Sequence, residues 1–185
     1  MESWDVAYVG EAAGLLYDHI VAYSKATDSY ARYTSIVQSS GMGKSRAVDE
    51  FSKQHLVVPL NLRQNPDGIS ELTLSLFKLL TSALGFPPPD GDARDWLLLS
   101  KTKVEAFNRS CAFLCATFII LLRYLQEIDA ELAFIDVSSV AAVDSLAAKF
   151  RLLMTMNQTF SRQGPTRRRF YTDVLQLANK VSSII

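Results

Sequence analysis

The sequence is poor in the residues that usually carry metal or redox chemistry. It has two cysteines and two histidines in 185 residues. Cys111 and Cys115 are four residues apart in an apolar stretch, where a helix would direct both side chains to one face. That spacing makes a poor disulfide, and neither His19 nor His55 is near enough in sequence to complete a metal site. We therefore expect two reduced, buried thiols.

The chain also lacks a net charge and a long apolar run. Nineteen basic and nineteen acidic residues cancel, so no overall field attracts nucleic acid or an anionic membrane. The longest apolar run, residues 111–122, is shorter than the about 20 residues that span a bilayer, and a buried helix explains it better. The N-terminus has no secretory signal pattern. We expect an intracellular protein, in the cytoplasm or nucleus, without a transmembrane segment.

The most informative stretch that is present is residues 34–48, TSIVQSSGMGKSRAV. A β-branched run leads into a loop with two glycines, and Lys44 and Ser45 then begin a predicted helix, which is the order of parts in a phosphate-binding P-loop. Gly41 and Gly43 allow successive backbone N–H groups to turn toward a phosphate. Lys44 would contact the β- and γ-phosphates, and the Ser45 hydroxyl would ligate Mg²⁺.

This loop predicts a degenerate Walker A site, because Gln38 occupies the place of the usual first glycine. The predicted cofactors are ATP, or another nucleoside triphosphate, and Mg²⁺. Ser45 is the expected metal ligand. The residues expected at the nucleotide are Ser39, Ser40, Gly41, Met42, Gly43, Lys44, Ser45 and Arg46. The alternative is a flexible turn between a strand and a helix.

The segments around the loop predict an α/β fold. Residues 56–62, LVVPLNL, have the aliphatic content of a buried parallel strand, although Pro59 suggests an edge or a bulge. Strand, P-loop, helix and strand make a βαβ unit, which predicts a P-loop NTPase-like three-layer core with a short parallel sheet. A single domain over residues 1–185 would comprise an N-terminal helix (1–32), the βαβ unit (33–63) and a mainly helical C-terminal half (64–185).

Hydrolysis needs groups that the sequence supplies less clearly. Residues 132–136, LAFID, have the form of a Walker B strand, whose carboxylate at Asp136 would hold Mg²⁺ opposite Ser45. No glutamate follows Asp136 to orient a water, and the stretch also has a helical pattern. We expect nucleotide binding with weak or absent hydrolysis and assign no catalytic residue. The alternative is a non-catalytic helical interaction module in which the P-loop is a relic.

Other basic residues are candidates for contacts with an anion. Arg63 follows the predicted second strand, near the expected phosphate site, and a solvated strand end is the alternative. Arg167, Arg168 and Arg169 begin a predicted C-terminal helix, where positive charges oppose the helix dipole. A nucleotide phosphate, nucleic acid or an acidic partner would offset that repulsion, and solvated side chains are the alternative. Residues 86–92, FPPPDGD, are expected to form a stiff surface connector, and a recognition loop is the alternative.

Three of these segments also resemble a known family. QSSGMGKSR (38–46), VVPLNLR (57–63) and GFPP (85–88) resemble the opening of P-loop ATPase modules in fungal, especially basidiomycete, proteins related to the crinkler and retrotransposon-hotspot type. Such proteins are generally longer and couple the ATPase module to nuclease-like or other effector modules. The resemblance implies an N-terminal piece or a shortened copy, with a C-terminal module or protein partner missing and the Walker B strand beyond Ile185.

Overall fold

The structure is a computed structural model that describes residues 8–25, 44–62, 89–133, 145–158 and 162–183. About 75% of these residues are helical, and none of them is in a β-strand. The helices in this part of the chain are α1 (Ala12–Lys25), α2 (Lys44–Ser52), α3 (Gly91–Leu98), α4 (Lys103–Gln126), α5 (Ile128–Ala133), α6 (Leu146–Thr155) and α7 (Pro165–Ser182).

The predicted α/β fold is wrong for the part of the chain that the structure describes. Residues 56–62, predicted as the second strand of the βαβ unit, are irregular chain after α2. Three backbone groups at Pro59 and Asn61 bond elsewhere: Pro59 O accepts from side chains of α7, Asn61 N donates to the Asp90 carboxylate, and Asn61 O accepts from Asp90 N. Because these groups are satisfied without a neighbouring strand, no parallel sheet is needed there. The predicted first strand, residues 34–37, lies outside the described residues.

The core is built around α4 and α7, which pack along each other. Phe170 of α7 meets Tyr124, Phe150 and Tyr171 edge to face, with ring centroids 5.2 to 5.9 Å apart. This arrangement suits the quadrupoles of aromatic rings. Fully burying an apolar side chain contributes roughly 1.5–3 kcal/mol, so these rings stabilise the packing of three helices. Further buried side chains come from α3 to α6 and include Ala93, Trp96, Phe113, Ile120, Ile128, Leu132, Leu153 and Met154.

The helix that follows the predicted P-loop, α2, is held from two sides. His55, just after α2, stacks on Tyr17 of α1 with ring centroids 4.6 Å apart and contacts Phe51 at 4.4 Å. On the other side, Asp49 accepts two hydrogen bonds from Arg151 of α6, both 2.7 Å long. The bidentate geometry gives this ion pair a defined orientation. The histidine is therefore packed between aromatic rings, consistent with a structural role for it.

Candidate functional site

The structure describes only the helical end of the predicted nucleotide site. Lys44 is the first residue of α2, at the place where the P-loop pattern expects a helix to begin, and α2 also includes Ser45 and Arg46. The Arg46 side chain is 18% exposed, and its Nε lies 3.8 Å from Glu50 Oε1, one turn along the same helix. The phosphate and Mg²⁺ contacts stay predictions, because the side chains of Lys44 and Ser45 are outside the described part, as are Ser39, Ser40, Gly41, Met42 and Gly43.

The predicted Walker B residue is likewise outside the described residues. This holds for Asp136, and also for Arg63 at the end of the predicted second strand. Within the described ranges, no group of three or more His, Cys, Asp or Glu side chains is placed to hold a metal ion. The Mg²⁺ site therefore stays a prediction from the sequence.

A buried ion pair that sequence analysis missed lies at the start of α7. Arg167 and Asp90 are each 1% exposed. Arg167 Nε donates to Asp90 Oδ1 at 2.9 Å, and Nη2 donates to Oδ2 at 2.6 Å. Gln163 Nε2 and Asn61 N donate to the same carboxylate, so it accepts four hydrogen bonds, about as many as its lone pairs allow. We call these four residues the Asp90 cluster.

The Asp90 cluster joins the irregular chain after α2 to the starts of α3 and α7. Asp90 N donates to Asn61 O at 2.8 Å, and Arg167 Nη2 donates to Pro59 O at 3.1 Å. The Tyr171 hydroxyl donates to the same Pro59 oxygen. Burial, and then the charge of Asp90, raise the pKa of Tyr171 above its ordinary value, so the phenol is a neutral donor at physiological pH.

This cluster is a structural clamp and offers little to a substrate. Its carboxylate is fully occupied, and the two charges neutralise each other inside the core. Arg167 Nη1 and Gln158 Oε1 are buried and have no hydrogen-bond partner among the described residues. The one sequence signal for this pair was that the positive charge of Arg167 opposes the dipole of its helix, which called for a nearby anion. That anion is Asp90 of the same chain. The expectation of a surface connector is therefore wrong at Asp90.

The other arginines at the start of α7 have different surroundings. Arg168 is exposed. Arg169 Nε donates to the Tyr124 hydroxyl at 3.1 Å, and its guanidinium lies 5.6 Å from the centre of that ring. Arg167 is buried in its pair with Asp90, so the three arginines do not present one common surface to nucleic acid or to an acidic partner.

An apolar stripe runs along α4 on the surface of the described part of the chain. Opposite the face that packs on α7, six large apolar side chains are between 47% and 70% exposed. Two free cysteines lie among them; Cys115 is exposed and Cys111 is half-buried. The expectation that both thiols share a face is confirmed, whereas the expectation that both are buried is wrong. We call this set of side chains the α4 stripe. Its members are Val104, Phe107, Cys111, Leu114, Cys115, Phe118, Ile119 and Leu122.

The α4 stripe is unusually large and carries no charge. The exposed area of its side chains is on the order of 700 Å², whereas the largest apolar patch on a typical monomer is about 300–600 Å². No charged residue lies between Arg109 and Arg123. Even the hydroxyls of this segment bond within the helix: Ser110 donates to Ala106 O and Thr117 to Phe113 O, both at 2.8 Å. The stripe is suited to apolar contact and lacks acid or base groups.

By length and composition alone, α4 also qualifies as a helix that could cross a membrane. This is weak evidence, because the core helix of a soluble protein passes the same test. Here 33% of the most apolar window of the helix is buried inside the protein. The face of α4 opposite the stripe packs on α7, whose exposed residues include Arg168, Thr172 and Lys180.

Comparison of the chain with protein-family models, with curated proteins and with solved structures gave no match. The resemblance to fungal P-loop ATPase modules therefore stays a prediction from the residues that carry it. Function has to be argued from the surfaces of the chain itself.

Proposed function

We propose that this chain is a non-catalytic, helical interaction module that binds a protein partner through the α4 stripe. The observation that supports this function is the exposure of the stripe. At about 25 cal/mol per Å², burying on the order of 700 Å² favours association by roughly 17 kcal/mol, before an association cost of about 4–15 kcal/mol is subtracted. The surplus of roughly 2–13 kcal/mol favours association.

The shape and chemistry of the stripe favour a protein over a small ligand. Its side chains recur every three or four residues along a helix, which is the pattern by which a helix docks on another helix or in a groove. Small-molecule sites are concave and contain a few convergent polar groups. The stripe is the outer face of a helix, and its nearest hydroxyls, at Ser110 and Thr117, are bonded to their own backbone.

A photo-cross-linking experiment tests this function. Ser110→Cys places a benzophenone label beside the stripe in a chain that also carries Cys111→Ser and Cys115→Ser. After irradiation in an extract of the source cells, we expect an adduct with a protein that mass spectrometry identifies. Unlabelled parent chain should compete for this adduct.

The competition needs a matched pair of variants. Phe118→Glu, in the stripe, should fail to compete, whereas Gln176→Glu, on the exposed side of α7, should compete as the parent does. If unlabelled parent leaves every adduct unchanged, the interaction function is wrong.

Nucleotide binding by residues 39–46 is the second candidate function. The observation that favours it is that α2 begins at Lys44, where a P-loop would place the positive end of a helix dipole against phosphate. We expect the chain to bind Mg²⁺–ATP with a dissociation constant in the micromolar to millimolar range, about 4–8 kcal/mol. Turnover should be far below the roughly 1–100 per second of efficient phosphoryl-transfer enzymes.

Calorimetry on three variants tests this second candidate. Lys44→Ala should weaken ATP binding at least tenfold with little change in melting temperature, because a lysine at the first position of a helix contributes little to folding. Ser45→Ala should remove the Mg²⁺ dependence of binding. Lys53→Ala, just after the same helix and exposed, is the matched control and should bind as the parent does. Equal ATP affinity in the parent and in Lys44→Ala would rule out the P-loop assignment.

A further inference from the structure

We infer that the partner of the α4 stripe is a second copy of this chain, docked with its α4 antiparallel to the first. The inference rests on the proposed function and names its partner. It follows from the order of side chains along the stripe, from its area and from the placement of charge around it.

The stripe is self-complementary about residue 113. Three pairs of its members lie at equal distances from this residue along the chain: Val104 and Leu122, Phe107 and Ile119, and Cys111 and Cys115. In a pair related by a two-fold axis, residue i of one copy contacts residue j of the other, and residue j contacts residue i. At about 100° per residue, Val104 and Leu122 point the same way and Cys111 and Cys115 point within about 40° of each other, so a two-fold axis perpendicular to α4 at residue 113 places each of these four opposite its mate. Phe107 and Ile119 point about 120° apart and lie at the two edges of the contact.

The angular positions around the helix agree with the pairs Val104–Leu122 and Cys111–Cys115. At about 100° per residue, Val104, Cys111, Phe118 and Leu122 fall within an arc of roughly 40°. The stripe therefore runs straight along the helix for about 27 Å at 1.5 Å per residue. Phe107 and Phe118 are at nearly equal distances from residue 113, so the phenyl rings of the two copies would also meet.

Area and charge both fit a dimer. Each copy would contribute on the order of 700 Å², close to the roughly 800 Å² per partner of a standard stable interface. No charge would be desolvated in the centre of the interface, because residues 110–122 contain none. Lys103 and Arg123, which flank the stripe, point about 160° apart around the helix, so these cations of the two copies would lie on opposite sides of the pair.

Sedimentation equilibrium measures the association directly. We expect the parent chain to be a dimer at micromolar concentration. Phe118→Glu should raise the dissociation constant at least tenfold, and Val104→Glu, near the other end of the stripe, should act in the same direction. Gln176→Glu is the matched control and should leave the dissociation constant unchanged, and circular dichroism will check that each variant is folded.

Oxidative cross-linking tests the orientation. With copper phenanthroline as oxidant, the parent should form a reducible dimer, because Cys111 of one copy lies opposite Cys115 of the other. Cys111→Ser alone and Cys115→Ser alone should each cross-link several-fold less. A mixture of these two variants should recover the cross-link, because it supplies one thiol of each kind. Cross-linking by the single variants that equals that of the mixture would overturn the antiparallel arrangement.

The remaining outcomes separate this inference from the proposed function. A monomeric parent that still gives an identified, competable adduct with another protein overturns the dimer and leaves the interaction module in place. A monomer with no competable adduct overturns both. A third outcome is that the chain floats with phosphatidylcholine vesicles and that Cys115 is protected from a maleimide only when vesicles are present. This outcome would assign the stripe to a membrane and would overturn both proposals.

Discussion

At the scale of single residues, Asp90 links segments that are far apart along the chain. Its carboxylate joins Asn61, 29 positions before it, to Gln163 and Arg167, 73 and 77 positions after it. Asp90 is the residue before α3, yet its side chain does not cap that helix, because its oxygens are already bonded elsewhere. Asp90 is therefore a core residue, although it lies at the N-cap position of α3.

Breaking the buried pair should be costly. In Asp90→Asn the shape is kept and the negative charge is lost, which leaves the Arg167 guanidinium buried without a counter-ion. We expect the free energy of unfolding to fall by about 3–5 kcal/mol, measured by urea denaturation. Asp92→Asn, exposed in the first turn of the same helix, should change it by less than about 0.5 kcal/mol. Similar losses in the two variants would contradict a structural role for Asp90.

Gly164, the residue before α7, is needed for a close backbone approach. A Cβ at this position would overlap the carbonyl oxygen of Met156. Backbone has to move to relieve such a clash, so Gly164→Ala should destabilise the chain by about 1–3 kcal/mol in thermal or urea unfolding. Gly91→Ala, where a Cβ has open space, is the control and should be neutral or slightly stabilising. If Gly164→Ala leaves the free energy of unfolding unchanged, the backbones at Gly164 and Met156 are not in contact.

At the scale of elements, α4 is a helix with two apolar faces that have different roles. One face, with Phe113 and Ile120, is buried against the rest of the core. The other is the α4 stripe. The N-terminus of α4 is capped by Thr102, whose hydroxyl accepts from Glu105 N at 3.1 Å, and Glu105 accepts from Lys101 N at 2.9 Å. The Thr102 hydroxyl satisfies an amide that the first turn leaves unpaired, and Glu105 fixes the chain just before the helix.

Two phenylalanines five residues apart test the assignment of these faces. Phe113→Ala should lower the free energy of unfolding by about 3–5 kcal/mol, because it leaves a cavity in the core. Phe118→Ala should lower it by less than about 1 kcal/mol, since this ring is 62% exposed. Urea unfolding at a protein concentration where the chain is monomeric keeps association out of the comparison. Equal losses would mean that the stripe is covered by the chain itself.

At the scale of the whole molecule, the free energy of unfolding should fall at high pH because of two buried tyrosines. Burial is the main cause that raises the pKa of Tyr171 and the pKa of Tyr124 above the ordinary value. The folded chain therefore holds the phenol protons more tightly than the unfolded chain, which releases them near pH 10. This stabilisation is fully present below about pH 10 and is lost as the pH rises through the folded-state pKa values.

Tyr171→Phe separates this effect from the general loss of stability in alkali. At pH 8 the variant should be less stable by about 1 kcal/mol, because the hydrogen bond to Pro59 O is lost. Between pH 9 and 11, stability should fall less steeply in the variant than in the parent, as measured by urea unfolding at several pH values within roughly one unit of the ordinary tyrosine pKa. Parallel pH profiles would show that Tyr171 ionises as easily in the folded chain as in the unfolded one.

The sequence by itself determined the features that depend on residues close together along the chain. The apolar run at residues 111–122 predicted a helix, and α4 contains it; the spacing of Cys111 and Cys115 predicted a shared face, which the structure confirms. The beginning of α2 at Lys44 also agrees with the predicted order of loop and helix. Bonds and contacts within a few residues decide whether a helix forms and which residues share one of its faces. A local pattern is therefore enough to predict both.

The tertiary structure alone decided which faces are buried and how the backbone of residues 56–62 is satisfied. Their aliphatic content fits a strand, but composition does not say whether a neighbouring strand or distant side chains will bond to the backbone. Here the partners are Asp90, Arg167 and Tyr171, with Tyr171 more than one hundred positions from Pro59. For the same reason the sequence did not show that one side of residues 111–122 would be exposed. Burial depends on where α7 packs, which is a property of the assembled core.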